Sequence, residues 1–146
     1  MNSSEVLPAD LHGILYIDWE ERVSGWGVYT REKIQEGSLV EVCPVVVYPE
    51  DIMKIAKWKA GDDPMACVHL GLPLYSLRWG EDQCAVPLGY GAIYNHSDSN
   101  NCQFAGEYEH GLLYIVALRD IDPGEQLTVS YGESWFEGKP FPKVDL

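Results

Sequence analysis

The chain has 146 residues, a length that suits one compact domain with a core of its own. Its composition is that of a globular protein, 46% hydrophobic and 23% charged, and its longest apolar run, Leu112 to Leu118, suits a buried strand rather than a membrane span. With 23 acidic against 10 basic residues the net charge is −13, which argues against direct nucleic-acid binding and suits either basic partners or plain solubility.

The first residues, Met-Asn-Ser-Ser-Glu-Val-Leu-Pro, lack the basic and apolar regions of a secretory signal. The expectation is an intracellular protein, cytoplasmic or nuclear in a host, that is neither secreted nor placed on a membrane. Cys43, Cys67, Cys84 and Cys102 lie far apart, with no C-x-C or C-x-x-C spacing. They write no zinc knuckle and read as buried free thiols.

In chain order, apolar runs rich in Val, Ile, Leu and Tyr predict strands over Gly13–Trp19, Gly27–Thr30 and Leu39–Tyr48. Glu50 to Ala60 reads as a helix, with Ile52, Ile55 and Ala56 on one face and Gly61 closing it. Strands are expected again over Leu74–Trp79, Gln103–Tyr108, Leu112–Leu118 and Leu127–Tyr131. Residues 107–111 link two of them as a hairpin, and Asp122-Pro123-Gly124-Glu125 has the pattern of a type II turn. No repeat or linker divides the chain. The reading is one mostly-β domain over residues 1–146, its core from about 13 to 135, with a short helical insert and an irregular tail over 136–146.

Three stretches carry the candidate chemistry. Gly25-Trp26-Gly27 sets two glycines around an aromatic, so backbone can approach a ligand closely, although a glycine-punctuated strand end explains the same residues. The stretch from Tyr94 to Cys102 is dense in Asn, His and Ser, suited either to a loop that bonds its own backbone or to a small polar ligand. A Cys–His nucleophilic pair from His96 and Cys102 lacks both a third group and an oxyanion hole. The stretch from Val116 to Gly132 reads as strand, Pro-Gly turn and strand, ending in Tyr131-Gly132.

In order and spacing these stretches resemble the SET-domain family of protein lysine methyltransferases, from about Gly13 to Trp135. Gly25-Trp26-Gly27 followed by Lys33-Ile34-Gln35-Glu36-Gly37 matches the family's first motif. Asn95, His96, Ser97, Asn101 and Cys102 match N-H-S-x-x-x-N-C, and Ala117 to Tyr131 follow A-x-R-D-I-x-x-G-E-x-L-T-x-x-Y. The chain departs from the histone-modifying members in having no flanking cysteine-rich segments, so no structural zinc is expected. Asn100 stands where the usual stretch has Pro. The length is similar to that of the small stand-alone SET proteins of bacteria and viruses.

The resemblance implies a β-clip of several small sheets, with a C-terminal segment threaded beneath a preceding loop. It implies transfer of a methyl group from S-adenosylmethionine to a lysine of a basic protein or peptide such as a histone, with no metal. Trp26, Gly27, Asn95 and His96 would hold the cofactor, with Trp135 over its adenine. Tyr131 would be the catalytic tyrosine. Phe104, Tyr94 and Phe136 would line the lysine channel. Two positions can supply the ring that limits methylation in this family; Val129 is too small, which leaves Phe104 and an expectation of di- or trimethyllysine. Self-association, seen in some minimal SET proteins, is left open. The alternatives are a SET-like module that binds a basic peptide without turnover, and an acidic β-domain that binds carbohydrate through its 5 Trp and 9 Tyr.

Overall fold

The computed structural model describes residues 13–52, 75–137 and 142–146. Strands β1 (Leu15–Glu20) and β2 (Gly25–Thr30) pair antiparallel, with Trp19 opposite Trp26 and Glu20 opposite Gly25. Their turn closes through the N–H groups of Val23 and Ser24, bonded to the carbonyls of Glu20 and Glu21, and Ser24 takes a φ of 50°. After β2 the chain crosses to the longest strand, β3 (Leu39–Pro49). Then come β4 (Leu77–Trp79), β5 (Gln83–Pro87), β6 (Asn95–His96), β7 (Cys102–Glu107), β8 (Leu112–Ala117) and β9 (Gln126–Val129). A single 3-10 turn, Glu133–Phe136, follows β9.

The strands form two sheets. One has the order β1-β2-β9-β6 and the other β4-β5-β3-β8-β7. Every pairing is antiparallel except that of β6 with β9, which sets Asn95 beside Thr128 and His96 beside Val129. The apolar pattern explains the packing. Along β8 burial alternates strictly, so Leu113, Ile115 and Ala117 face the core and meet Cys43 and Val40 of β3. Val28, Leu127 and Val129 extend that core into the smaller sheet, and all three are fully buried. Each such aliphatic side chain contributes about 1.5–3 kcal/mol relative to exposure.

The expected turn at Asp122–Glu125 is present: Gly124 has a φ of 84°, and the Glu125 N–H bonds the Asp122 carbonyl at 3.1 Å. The hairpin loop over residues 107–111 is held by the Glu107 carboxylate, which accepts the N–H groups of Glu109 and His110. Strand bounds move by up to three residues from the sequence reading. The expected Leu127–Tyr131 strand ends at Val129, and Leu74–Trp79 shortens to Leu77–Trp79, with Leu74 outside the described residues.

Two strands were not expected. β5 ends in Pro87, a residue that argues against a strand in sequence but is tolerated at the last position. β6 is two polar residues long and has no apolar pattern to read. The expected helix begins as read, with residues 50–52 helical, and its remainder with Gly61 lies outside the described residues. Cys43, Cys84 and Cys102 are thiols outside any disulfide, and Cys67 lies outside the described residues.

Candidate functional site

The short parallel pair β6–β9 places the central residues, and the side chain of Asn101 extends it. Its Nδ2 donates to the Gln126 carbonyl at 2.8 Å, and its Oδ1 accepts the Thr128 N–H at 2.8 Å. Asn101 thus bonds β9 as a neighbouring strand would, although its own backbone has turned away. Asn100, standing in place of Pro, donates its amide to the Cys102 carbonyl at 2.8 Å and braces the same loop.

Tyr131 lies two residues past the end of β9, where the ladder no longer fixes it. Its backbone N–H bonds His96 Nδ1 at 3.1 Å, and its hydroxyl donates to the Tyr94 carbonyl. Residues on either side of Asn95 therefore anchor both ends of the tyrosine. Burial pushes the Tyr131 hydroxyl pKa up, so the group stays neutral and keeps its proton. With that proton on the Tyr94 carbonyl, the hydroxyl lone pairs are left to accept.

Tyr94 is itself fixed. Its hydroxyl donates to Glu41 Oε1 at 2.9 Å, and Glu41 Oε2 accepts the Tyr90 N–H at 3.0 Å. Glu41 is 1% exposed, a carboxylate set inside the apolar stretch of β3 and satisfied there. His96 is 4% exposed, with Nδ1 accepting from Tyr131 and Nε2 at 3.1 Å from Asp98 Oδ1. Since Nδ1 accepts, the ring proton sits on Nε2.

Behind Asn95 runs a second chain of bonds. Asn95 Nδ2 donates to the Trp26 carbonyl at 3.0 Å and to Gln126 Oε1 at 2.8 Å, and Gln126 Nε2 donates to Glu20 Oε2 at 3.0 Å. Arg22 grips the same carboxylate through its Nε at 2.9 Å. That hydrogen bond holds the Glu20 carboxyl at about 2, far below the usual carboxylate range. The register explains Gly27. Gln126 pairs with Tyr29, and Gly27 lies two residues along on the same face. A Cβ there would come within 2.5 Å of Gln126 Oε1 and 3.2 Å of Asn95 Nδ2. The glycine makes room for the amide pair that orients Asn95, whereas the sequence suggested room for a ligand.

Three cavities meet at Tyr131, which lines all of them. One of about 420 Å³ is bounded by Arg22, Asn95, His96, Trp135, Phe136 and Val144. A second of about 450 Å³ lies beside the hairpin, between Trp19, Trp26, Tyr75, Ala92 and Asn95. The third, about 220 Å³, is walled by Tyr94, Phe104, Tyr75, Ser130 and Trp135.

The structure thus brings together Tyr131, Asn95, His96 and Trp135 around the first cavity, and Phe104 with Tyr94 around the third. Trp26 is 52% exposed and packs edge-on against Trp19 at 5.5 Å. Phe136, expected with Phe104 and Tyr94, instead faces the first cavity with its ring 5.0 Å from that of His96. On the 3-10 turn Glu133–Phe136, Trp135 reaches both the first and the third cavity, whereas Phe136 reaches only the first. Cys102 is buried and its thiol pushed up to about 12 by desolvation, which removes it as a nucleophile.

Sequence reasoning missed Gln126, Glu20, Tyr75, Asp98, Lys143 and Glu41. Only Glu41 carried a signal, as an acid alone in the run Leu39-Val-Glu-Val-Cys43.

Comparison with known proteins agrees with this architecture. The SET-domain family model matches residues 25–132. The chain is 26% identical over 114 residues to a Schizosaccharomyces pombe protein named histone-lysine N-methyltransferase, H3 lysine-37 specific; the match covers 77% of this chain and 71% of that protein. It is 34% identical over 125 residues to Drosophila melanogaster histone-lysine N-methyltransferase ash1, covering 80% of this chain and 5% of the relative. A third match, to N-lysine methyltransferase KMT5A-A of Danio rerio, is 30% identical over 133 residues and covers 82% of this chain and 36% of the relative. A solved structure of a Plasmodium falciparum protein superposes with a TM-score of 0.60 at 26% identity, covering 85% of this chain and 97% of that one. The fold and motifs define a SET domain. The chain belongs to the SET-domain family, and the relatives it matches are named as lysine methyltransferases.

Proposed function

We propose that the chain is a protein-lysine N-methyltransferase that uses S-adenosylmethionine and acts on a basic protein such as a histone. The observation that carries this reading is the placement of Tyr131. Its hydroxyl is buried, neutral and tied to the Tyr94 carbonyl at the point where the cavity of Asn95, His96 and Trp135 meets that of Phe104 and Tyr94.

The lining of the first cavity fits that cofactor. Trp135 and Phe136 offer aromatic faces to a purine. Asn95 Oδ1 accepts no hydrogen bond among the described residues and suits an ammonium group, and Arg22 offers a guanidinium to a carboxylate. Trp26 and Gly27 support Asn95 from behind, through the Trp26 carbonyl and the space that Gly27 leaves. When bound, this cofactor supplies a methyl group carried on a positively charged sulfur.

The remaining work falls to the chain's own residues. A free lysine has a pKa of about 10.4 and is almost wholly protonated at neutral pH. A narrow channel walled by Phe104 and Tyr94 disfavours the ammonium form and shuts out water. The Tyr131 oxygen, its proton already committed, accepts from the amine N–H and aims the nitrogen lone pair. Holding both groups in one alignment supplies much of the acceleration.

The catalytic unit in this reading is the single domain from about residue 13 to 135. A net charge of −13 favours a basic substrate, and histone substrates of the named relatives suit a reaction inside the cell.

The test is calorimetry of S-adenosylmethionine binding with a chelator present. The expected result is binding that needs no added metal, and weakening by about 1–3 kcal/mol in Asn95→Ala, which loses a half-buried polar partner for a charged group. A folded wild type that binds no cofactor overturns the reading.

A further inference from the structure

Residues 142–146 lie against the Asn95–Ser99 loop and bind it at several points. Lys143 Nζ lies 2.8 Å from both carboxylate oxygens of Asp98, and Asp145 Oδ1 accepts the Asp98 N–H at 2.8 Å. Ser97 Oγ lies 2.6 Å from the Leu146 carbonyl oxygen. Lys143 also stands over the Phe136 ring, at 5.9 Å, and that ring meets His96 edge-on. Asp98 is in turn the partner of His96 Nε2, and His96 Nδ1 holds the backbone of Tyr131.

We propose that residues 142–146 are a positioning element for Tyr131: Lys143 fixes Asp98, Asp98 keeps the His96 proton on Nε2, and the free Nδ1 pins the Tyr131 backbone. The inference rests on the reading of Tyr131 as the tyrosine at the reaction centre.

An imidazole can exchange its two tautomers at little cost in water, and only one of them accepts at Nδ1. A proton on Nδ1 would face the Tyr131 N–H, turning an attraction into a clash of two donors. Tyr131 lies past the last β9 pairing, so no ladder bond would replace the lost contact. The tautomer is chosen at Nε2 by the Asp98 carboxylate. Asp98 is exposed and would rotate freely into water without Lys143 and the backbone bond to Asp145. The bond to Lys143 also lowers the Asp98 pKa, which keeps it an acceptor. Lys143, Asp98 and His96 are therefore positioning residues, and the segment that carries Lys143 takes part in the site although it was read as an irregular tail.

The test compares the full-length wild type with Lys143→Ala, Lys143→Arg and Asp98→Ala, by long-range proton–nitrogen correlation at the His96 ring and by steady-state kinetics. The expected wild-type His96 carries its proton on Nε2. Lys143→Ala and Asp98→Ala should show protonation at Nδ1 and a kcat lowered by about 10- to 100-fold, as misplacement of a reacting group causes. Cofactor affinity should hold, and Lys143→Arg should restore both the tautomer and kcat. A wild-type His96 protonated at Nδ1 overturns the proposal. So does a Lys143→Ala variant with unchanged tautomer and kcat, and as an exposed change it can be read even if Asp98→Ala does not fold. A wild type with the expected tautomer, whose shift follows Lys143, but with no turnover on any basic peptide supports the relay and sinks the methyltransferase reading instead.

Discussion

At the scale of single residues, Glu20 shows how a side chain away from the cavities governs one that lines them. It closes β1, takes Arg22 on one side and Gln126 on the other, and through Gln126 sets the amide of Asn95. Its folded pKa of about 2 lies below the ordinary 4.5, chiefly because of the Arg22 hydrogen bond. A depressed carboxylate adds stability above its unfolded pKa and loses it as pH falls toward the folded one. Glu20→Gln should therefore be less stable than wild type at about pH 7, with the difference narrowing as pH falls through about 4.5 toward 2. Urea unfolding across that range checks this; a difference that stays constant would mean the carboxylate charge does not contribute.

Phe104 carries the second residue-scale prediction. It meets Tyr94 edge-on at 6.1 Å and lines the smallest of the three cavities with Tyr131, whereas Val129 is fully buried in the core. An added hydroxyl at Phe104 would hold a water and crowd that cavity. The wild type should reach di- or trimethyllysine, and Phe104→Tyr should shift the products toward monomethyllysine. Mass spectrometry of a peptide at long reaction times decides this, and a wild type that stops at one methyl refutes it.

At the scale of elements, the pairing of β6 with β9 is the support on which the site rests. Two residues of parallel ladder are a weak join, and the Asn101 side chain strengthens it with two further bonds to β9. Asn101→Ala would strand the buried Thr128 N–H and the Gln126 carbonyl. It should cost about 1–3 kcal/mol in urea unfolding; a loss too small to resolve would show that water replaces the amide.

This support marks the limit of what the sequence reveals. β3 and β8 were legible as apolar runs and β1 and β7 as apolar residues at every second position, although of these four β8 alone alternates strictly in burial. β6 was not, since its pairing is enforced by an asparagine six residues away and by β9, both non-local. The three motifs located Tyr131, Asn95 and His96. Which side Phe136 faces depends on the turn over Glu133–Phe136, and the part played by Lys143 depends on the chain returning across the site. Neither has a local signature. Gly27 was legible as a place without room for a Cβ, but its neighbour, Gln126, comes from 99 positions further along.

At the scale of the molecule, two small sheets hold three cavities in common at one tyrosine. The smaller sheet brings the hairpin with Trp26 and the β6–β9 pair to the cavity of Asn95 and His96. The larger sheet brings Phe104 on β7 to the cavity beyond Tyr131. Two cavities that share Tyr131 suit a reaction in which a small donor and a protein side chain meet at that residue. The acidic charge of −13 suits a basic protein as that second reactant.

The most direct measurement is methyl transfer itself, with purified protein, S-adenosylmethionine and a basic histone peptide, read by mass spectrometry that locates the added methyl groups. Wild type should place them on a lysine nitrogen. Tyr131→Phe should fold and bind cofactor as wild type does yet lose most of its turnover. A wild type that binds both reactants and leaves every lysine unmodified, or a Tyr131→Phe variant as fast as wild type, would contradict the account and favour a peptide-binding module or another catalytic group.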